Sequence, residues 1–267
     1  MPRAHGVTHT GRIRETNEDC FALDEDLQLY VVADGMGGHN AGEVAARLAV
    51  DRIVASIRET SGAIDATDRS TRSHTLWPFG FDPAFSESGN RIRTAIHYAN
   101  VEILEAAMTV DEYRGMGTTI VAALIEDGRL SVGHAGDSRL YVLSKGRLRS
   151  LTRDDSWMAA LFAHDPAADL TAMQHHPMRS ALTNVVGARP RTDVHLIEEQ
   201  LSGGEILVML TDGIHGVLDD RWLERLVTSR EDVEVMAATL VDEALLRGSR
   251  DNCTAVVARY EGTQRGG

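Results

Sequence analysis

Leu29-Tyr30-Val31-Val32-Ala33-Asp34-Gly35-Met36-Gly37-Gly38-His39 is a run of β-formers that ends in a carboxylate and then breaks into glycines. Apolar, partly β-branched residues bounded by glycine read as a buried strand. The strand is expected to carry Asp34 to its end and stop there, with a helix opening near Ala41. Gly35, Gly37 and Gly38 permit turns and close backbone approach that a side chain would block.

The pattern recurs. Leu130-Ser131-Val132-Gly133-His134-Ala135-Gly136 runs into Asp137, and Glu205-Ile206-Leu207-Val208-Met209-Leu210-Thr211 runs into Asp212. Arg250-Asp251-Asn252 stands just before the apolar stretch 254–258. A single aspartate at a strand end is an ordinary turn residue. Four of them, two followed at once by glycine, point to convergence on one place. Converging carboxylates raise one another's pKa unless a cation neutralises them. Hard oxygen ligands of this kind suit Mg²⁺ or Mn²⁺.

The chain has 267 residues, enough for one large domain with a good core. Its 43% hydrophobic and 25% charged residues are ordinary for a soluble globular protein. A formal net charge of −13 argues against nucleic-acid binding, because no basic field neutralises phosphates. The two cysteines, Cys20 and Cys253, are far apart and in no metal-ligand spacing. A disulfide between them stays open, and a reduced cytoplasmic chain is the simpler reading. The N-terminus lacks a signal-peptide core, and no run approaches the ~20 apolar residues that span a bilayer. A monomer without a membrane or nucleic-acid partner is expected.

Along the chain, 4–33 reads as short strands and turns, with 11–19 a polar link. Val50, Ile53, Val54 and Ile57 give a helical face over about 41–58, and Ile92, Ala95, Ile96, Ala99, Ile103 and Ala106 another over about 89–108. Between them lies an insertion, 61–88, opening on a polar stretch read as a mobile loop. Its aromatic turn Trp77-Pro78-Phe79-Gly80-Phe81-Asp82-Pro83 is expected to dock on the surface. Asp127-Gly128 and Ser144-Lys145-Gly146-Arg147 mark hairpins. Thr118 and Thr119 read as strand packing. Residues 153–183 are irregular or helical and contain His175-His176-Pro177. Strands are expected near 193–198, 205–210 and 254–260, with a helix over 233–246. The tail 261–267 has nothing to bury. Helix pairs separated by hairpin-linked strands indicate an α+β fold of antiparallel sheets covered by helices. No linker divides 1–260, so one domain is expected.

Six motifs now stand in order: Arg14-Glu15-Thr16-Asn17-Glu18-Asp19, Ala33-Asp34-Gly35-Met36-Gly37-Gly38-His39, Gly115-Met116-Gly117-Thr118-Thr119, Gly136-Asp137-Ser138-Arg139, Thr211-Asp212-Gly213 and Asp251-Asn252. Over about residues 4–260 the chain resembles the metal-dependent serine/threonine protein phosphatases of the PPM, or type 2C, family, its bacterial branch in particular.

The resemblance implies a four-layer α-β-β-α sandwich, two antiparallel sheets flanked by helix pairs. It implies two Mn²⁺ or Mg²⁺ ions with a possible third. Asp34 would bridge two ions, the Gly35 carbonyl would take one, and Asp212 and Asp251 would complete the other. Asp137 would join Asp212 at the third. Glu18 would hold waters on the ions with Asp19 nearby, and Arg14 would bind phosphate. The implied substrates are phosphorylated proteins, products of a Ser/Thr kinase, hydrolysed by direct attack of a metal-bridging water. Residues 153–183 would form a flap whose Arg179 and Ser180 touch substrate.

The residues suit that chemistry on their own terms. Cations offset the dianionic phosphate and lower the pKa of a water, while an arginine fork grips phosphate oxygens. The one Cys-x5-Arg spacing, Cys253 to Arg259, falls across the apolar stretch read as the last strand and not in a phosphate-binding loop. Eukaryotic members place a histidine after Asp-Gly, where this chain has Met36. His39 is the nearest substitute as general acid; a loop histidine ordering the helix start is the other reading. A catalytically silent metal-binding module and a small-molecule phosphomonoesterase are the alternatives, the first disfavoured because every matched carboxylate and Arg14 are retained.

Overall fold

The computed structural model describes residues 3–38, 41–61, 77–165, 176, 178, 181–229 and 232–262. Two antiparallel sheets face each other. The first contains β2 (Asp19–Asp24), β3 (Leu29–Met36), β5 (Ile120–Glu126), β6 (Arg129–Ala135) and β9 (His195–Gln200) in that order, with β4 (Gly117–Thr118) paired to the end of β3. The second runs β1 (Arg3–His9), β11 (Cys253–Arg259), β10 (Ile206–Leu210), β7 (Arg139–Ser144), β8 (Arg147–Ser150).

Helices α1 (Ala41–Thr60) and α2 (Glu87–Thr109) cover the first sheet. α5 (Asp220–Thr228) and α6 (Val233–Leu246) cover the second. The short helices α3 (Trp157–His164) and α4 (Asp212–His215) follow β8 and β10. The four-layer α-β-β-α sandwich is the architecture expected from the sequence.

Side chains alternate across a strand with period two, and that alternation positions the site. In β3, Leu29, Val31 and Ala33 pack under α1 and α2, while Tyr30 and Val32 enter the layer between the sheets. Asp34 falls on the same face as Tyr30 and Val32, at the open end of that layer. In β10 and β11, Leu207, Met209, Val256 and Ala258 face the same layer. The next positions of that parity are Thr211 and Thr254. Asp19 pairs in register with Asp34 across β2 and β3. One end of the inter-sheet layer is therefore polar because four strands change from apolar to polar residues on the same face.

Three expectations need correction. The strand does not stop at Asp34: β3 continues through Gly35 and Met36, which pair with Thr118 and Gly117. The insertion does not reach residue 88. Ser86 caps α2, accepting from the Gly89 amide, and its own amide and hydroxyl donate to Glu198 on β9. Helices α4 and α5 were not foreseen; α5 opens with Asp219 accepting from the Trp222 amide. The aromatic turn does dock, with Phe79 5.0 Å from the His97 ring and 5.2 Å from the Tyr98 ring on α2. Residues 62–76 of the polar loop lie outside the described residues.

Gly35 is where β3 meets the start of α1. Its amide donates to the Glu18 carbonyl at 3.0 Å. A Cβ there would stand 2.0 Å from the Gly42 carbonyl oxygen and 2.7 Å from that of Glu18. Backbone on both sides has no room to give. Gly35→Ala is therefore expected to lower unfolding free energy by about 2 kcal/mol through overpacking. Denaturant melts in chelator measure this; an unchanged midpoint would show that the contact yields.

Candidate active site

Asp34 is fixed through its backbone. Its amide donates to Thr119 Oγ1 at 3.1 Å, and its carbonyl accepts from the Thr119 amide and from Thr118 Oγ1, each at 2.9 Å. Thr119 Oγ1 also meets Ser138 Oγ at 2.7 Å, tying Asp34 to the turn that carries Asp137. Thr118 and Thr119 thus hold the central aspartate in place rather than merely packing a strand.

The other carboxylates gather from separate elements. Asp137 lies in the turn after β6, Asp212 opens α4 directly after β10, and Asp251 precedes β11. Asp19 is buried; its Oδ2 accepts from Thr211 Oγ1 at 2.9 Å and Thr254 Oγ1 at 2.6 Å. The convergence is electrostatically visible. Desolvation, then repulsion from Asp19, Asp212, Asp137 and Asp251, holds the Asp34 carboxyl well above the usual carboxylate range. Desolvation and Asp212 push Asp137 up to about 7. Asp19 is pushed up to about 7 by burial, against the two threonine hydrogen bonds. Asp212 is raised by desolvation and by Asp251.

Arg14 and Glu18 stand at the rim. Arg14 Nη2 donates to Asp251 Oδ2 at 2.7 Å, with half of the arginine side chain exposed. Glu18 is raised by desolvation, opposed by Arg14 and by the Gly42 amide. A Cβ on Gly42 would lie 2.7 Å from the Glu18 carboxyl, so the first turn of α1 carries a glycine where that side chain passes. His39, Arg179 and Ser180 lie outside the described residues. Of the histidine pair, His176 is described and stacks on Trp157 at 4.4 Å between ring centroids.

The donor set fits divalent cations. Asp212 Oδ1 and Asp19 Oδ1 are shielded from solvent and have no hydrogen-bond partner among the described residues. Buried carboxylate oxygens are rarely left so unless something positive meets them. Every donor is a hard oxygen, the set that Mg²⁺ and Mn²⁺ prefer. Among the described residues, no three His, Cys, Asp or Glu side chains close into a ready-made cage. Small hard cations need none, because they keep several waters and use one or two carboxylates.

Several supporting residues were not read from the sequence. Arg139 is held in a fork by Asp154, Nε to Oδ1 and Nη2 to Oδ2, each 2.8 Å. Asp155 accepts from the Gly136 amide at 3.0 Å and from Asn184 Nδ2 at 2.7 Å, and meets His195 Nε2 at 2.9 Å. Together they anchor the Asp137 turn to the start of the 153–183 segment and to Asn184 just past its end. The adjacent acidic pair Asp154-Asp155 was the available signal. His215 Nε2 faces the Asp137 carbonyl at 3.0 Å, and desolvation pushes its pKa down to about 3, so the neutral ring donates there.

Comparison with known proteins identifies the family. The family model described as protein phosphatase 2C matches residues 8–245. The serine/threonine phosphatase stp of Listeria monocytogenes is 29% identical over 262 residues, 97% of this chain and 96% of that protein. The crystal structure of the Mycobacterium tuberculosis serine/threonine phosphatase PstP/Ppp superposes with a TM-score of 0.79 at 26% identity, covering 97% of this chain and 99% of that one. A PstP catalytic domain solved with two manganese ions superposes with a TM-score of 0.75 at 26% identity, covering 97% of each chain. The chain belongs to the protein phosphatase 2C family. It is a metal-dependent serine/threonine protein phosphatase, and its substrates are phosphoproteins. Among the described residues, no helix is long and apolar enough to cross a membrane.

The raised carboxyl pKa values carry a sign. Asp19 and Asp137 titrate near 7 when folded, against 3.8 ordinarily, so between those limits the metal-free folded chain holds protons the unfolded chain has lost. Their contribution to stability is present at low pH and is lost as pH rises towards 7. Cations that neutralise the cluster remove this loss. The rise in Tm on adding Mn²⁺ in place of chelator is thus expected to be larger at about pH 8 than at about pH 5.5. Equal increments at both would contradict a cluster held together by charge neutralisation.

Proposed function

We propose that the chain hydrolyses phosphoserine and phosphothreonine at a centre of two divalent cations, Mn²⁺ or Mg²⁺, with a third site beside it. Asp34, the Gly35 carbonyl, Asp212 and Asp251 would hold the two ions. Asp137 with Asp212 would hold the third. The observation that carries this reading is the convergence of carboxylates whose buried oxygens at Asp212 and Asp19 include ones with no hydrogen-bond partner among the described residues, beside a half-exposed Arg14.

When bound, the cations supply neutralisation of the phosphate charge and a water of lowered pKa. The protein's own groups do the rest. Arg14 lies beside the cluster and offers a planar set of donors to phosphate oxygens. Its bond to Asp251 keeps it charged and in place before substrate arrives. Asp19 is gripped by Thr211 and Thr254 through Oδ2, while its Oδ1 has no hydrogen-bond partner among the described residues; it and Glu18 would orient waters. His39 is the proposed proton donor to the leaving seryl or threonyl oxygen, and Arg179 and Ser180 the proposed flap contacts. We further infer a single catalytic domain over 1–260, acting as a cytoplasmic monomer against a Ser/Thr kinase.

Phosphate release from a phosphothreonine peptide tests the reading. Activity is expected with Mn²⁺, is expected to vanish in EDTA, and should fall more than about a hundredfold in Asp212→Ala, because a ligand matters at least as much as the groups that orient it. A phosphopeptide should also be preferred to small phosphate esters. Metal-independent turnover, or an Asp212→Ala variant as active as the parent, would contradict the proposal.

A further inference from the structure

Asp251 has a place in the proposed centre, but its neighbour Asn252 has none there, although the motif pairs them. Asn252 is 5% exposed, and both polar atoms of its side chain are engaged on one segment. Nδ2 donates to the Thr10 carbonyl at 2.8 Å and to the Thr16 carbonyl at 2.9 Å, while Oδ1 accepts from the Glu18 amide at 2.8 Å. Residues 10–18 contain no helix or strand, and Arg14 sits in the middle of them. One buried amide thus grips the loop on both sides of the arginine.

A second contact presses the loop onto the same dipeptide. Gly11 has φ +86°, and a Cβ there would stand 2.3 Å from the Asp251 carbonyl oxygen. Asn17 Nδ2 donates to Thr8 Oγ1 at 2.8 Å, fixing the far side to β1. The residue type is chosen by this geometry. Two carbonyls need an amide N–H₂ and one amide needs an oxygen, and only Asn supplies both at this reach. Aspartate would set a carboxylate oxygen against two carbonyl oxygens.

We infer that Asn252 is a positioning residue: it closes the 10–18 loop so that Arg14 is presented to the substrate phosphate. Holding a long, half-exposed side chain on an irregular segment otherwise loses conformational entropy at the moment of binding. This inference rests on the proposed phosphate role of Arg14.

The test is a double-substitution cycle on the full chain with Mn²⁺ and a phosphothreonine peptide. Asn252→Ala and Asn252→Asp are expected to raise KM about tenfold with kcat changed less than about threefold, the scale of a buried amide network left unpaired. The Mn²⁺ concentration giving half-maximal activity should stay within about twofold, because Asp251 is untouched. In an Arg14→Ala background, Asn252→Ala should add almost nothing. Gly11→Ala lifts the same loop from the same dipeptide without touching Asn252 and should behave alike, which keeps the test available if Asn252→Ala does not fold. Effects that multiply in the double variant, or a metal requirement that rises in step with KM, would overturn the inference while leaving the proposed centre standing. An Arg14→Ala variant with unchanged kinetics would remove the role of Arg14 itself, and the inference with it.

Discussion

Repulsion among carboxylates that share one small, poorly solvated space is the constraint on which the rest of this structure depends. Asp34 is pressed by Asp19, Asp212, Asp137 and Asp251 together. Left alone, such a group separates, takes up protons or collects cations. The fold blocks separation. β3 and β10 bring Asp34 and Asp212 to one end of the sandwich, and the strands beneath them are locked by the layer of Tyr30, Val32, Val121, Leu140, Met209 and Val256. Threonine hydroxyls on Asp19 and on the Asp34 backbone fix the remaining freedom. Protons and cations are what remain, and the competition between them gives the site its chemistry.

Charge enters from outside as well. Arg14 is on an irregular loop rather than a strand, so it can lie on Asp251 and still reach outward. The dipeptide Asp251-Asn252 therefore serves two masters through adjacent side chains: the carboxylate faces the cluster and the arginine, and the amide faces the loop backbone. The segment 153–183 is tied to the same cluster from the opposite side, through Asp155 on the Gly136 amide and Asp154 on Arg139. Substrate contacts on that segment would then stand on the turn that carries Asp137.

Much of this was legible in the sequence, for identifiable reasons. The hairpins at Asp127-Gly128 and Lys145-Gly146 have positive φ at both central residues, which is what those residue pairs signal. Long helices announced themselves by period, and the aspartates by their place at the ends of apolar runs. Short elements did not. In α5 the buried residues Leu223, Leu226 and Val227 span too few turns to establish a period. Gly35 was legible as a place of close backbone approach, but the segment that approaches was not. Any residue has a carbonyl to offer a cation; what excludes a side chain is the Gly42 backbone, a contact between segments that no local pattern reveals. Thr118, Thr119 and Asn252 were missed alike, since their work is done on backbone atoms distant in sequence.

The central claim is that the cluster is assembled for cations and holds protons in their place when they are absent. Calorimetric titration of Mn²⁺ into the metal-free chain tests it most directly, run at about pH 6.5 in two buffers that differ in ionisation enthalpy. Binding is expected to release about one proton or more per chain, seen as a buffer-dependent heat, because carboxyls raised to about 7 are partly protonated there. Binding heats that are the same in both buffers, or no binding at all, would contradict it.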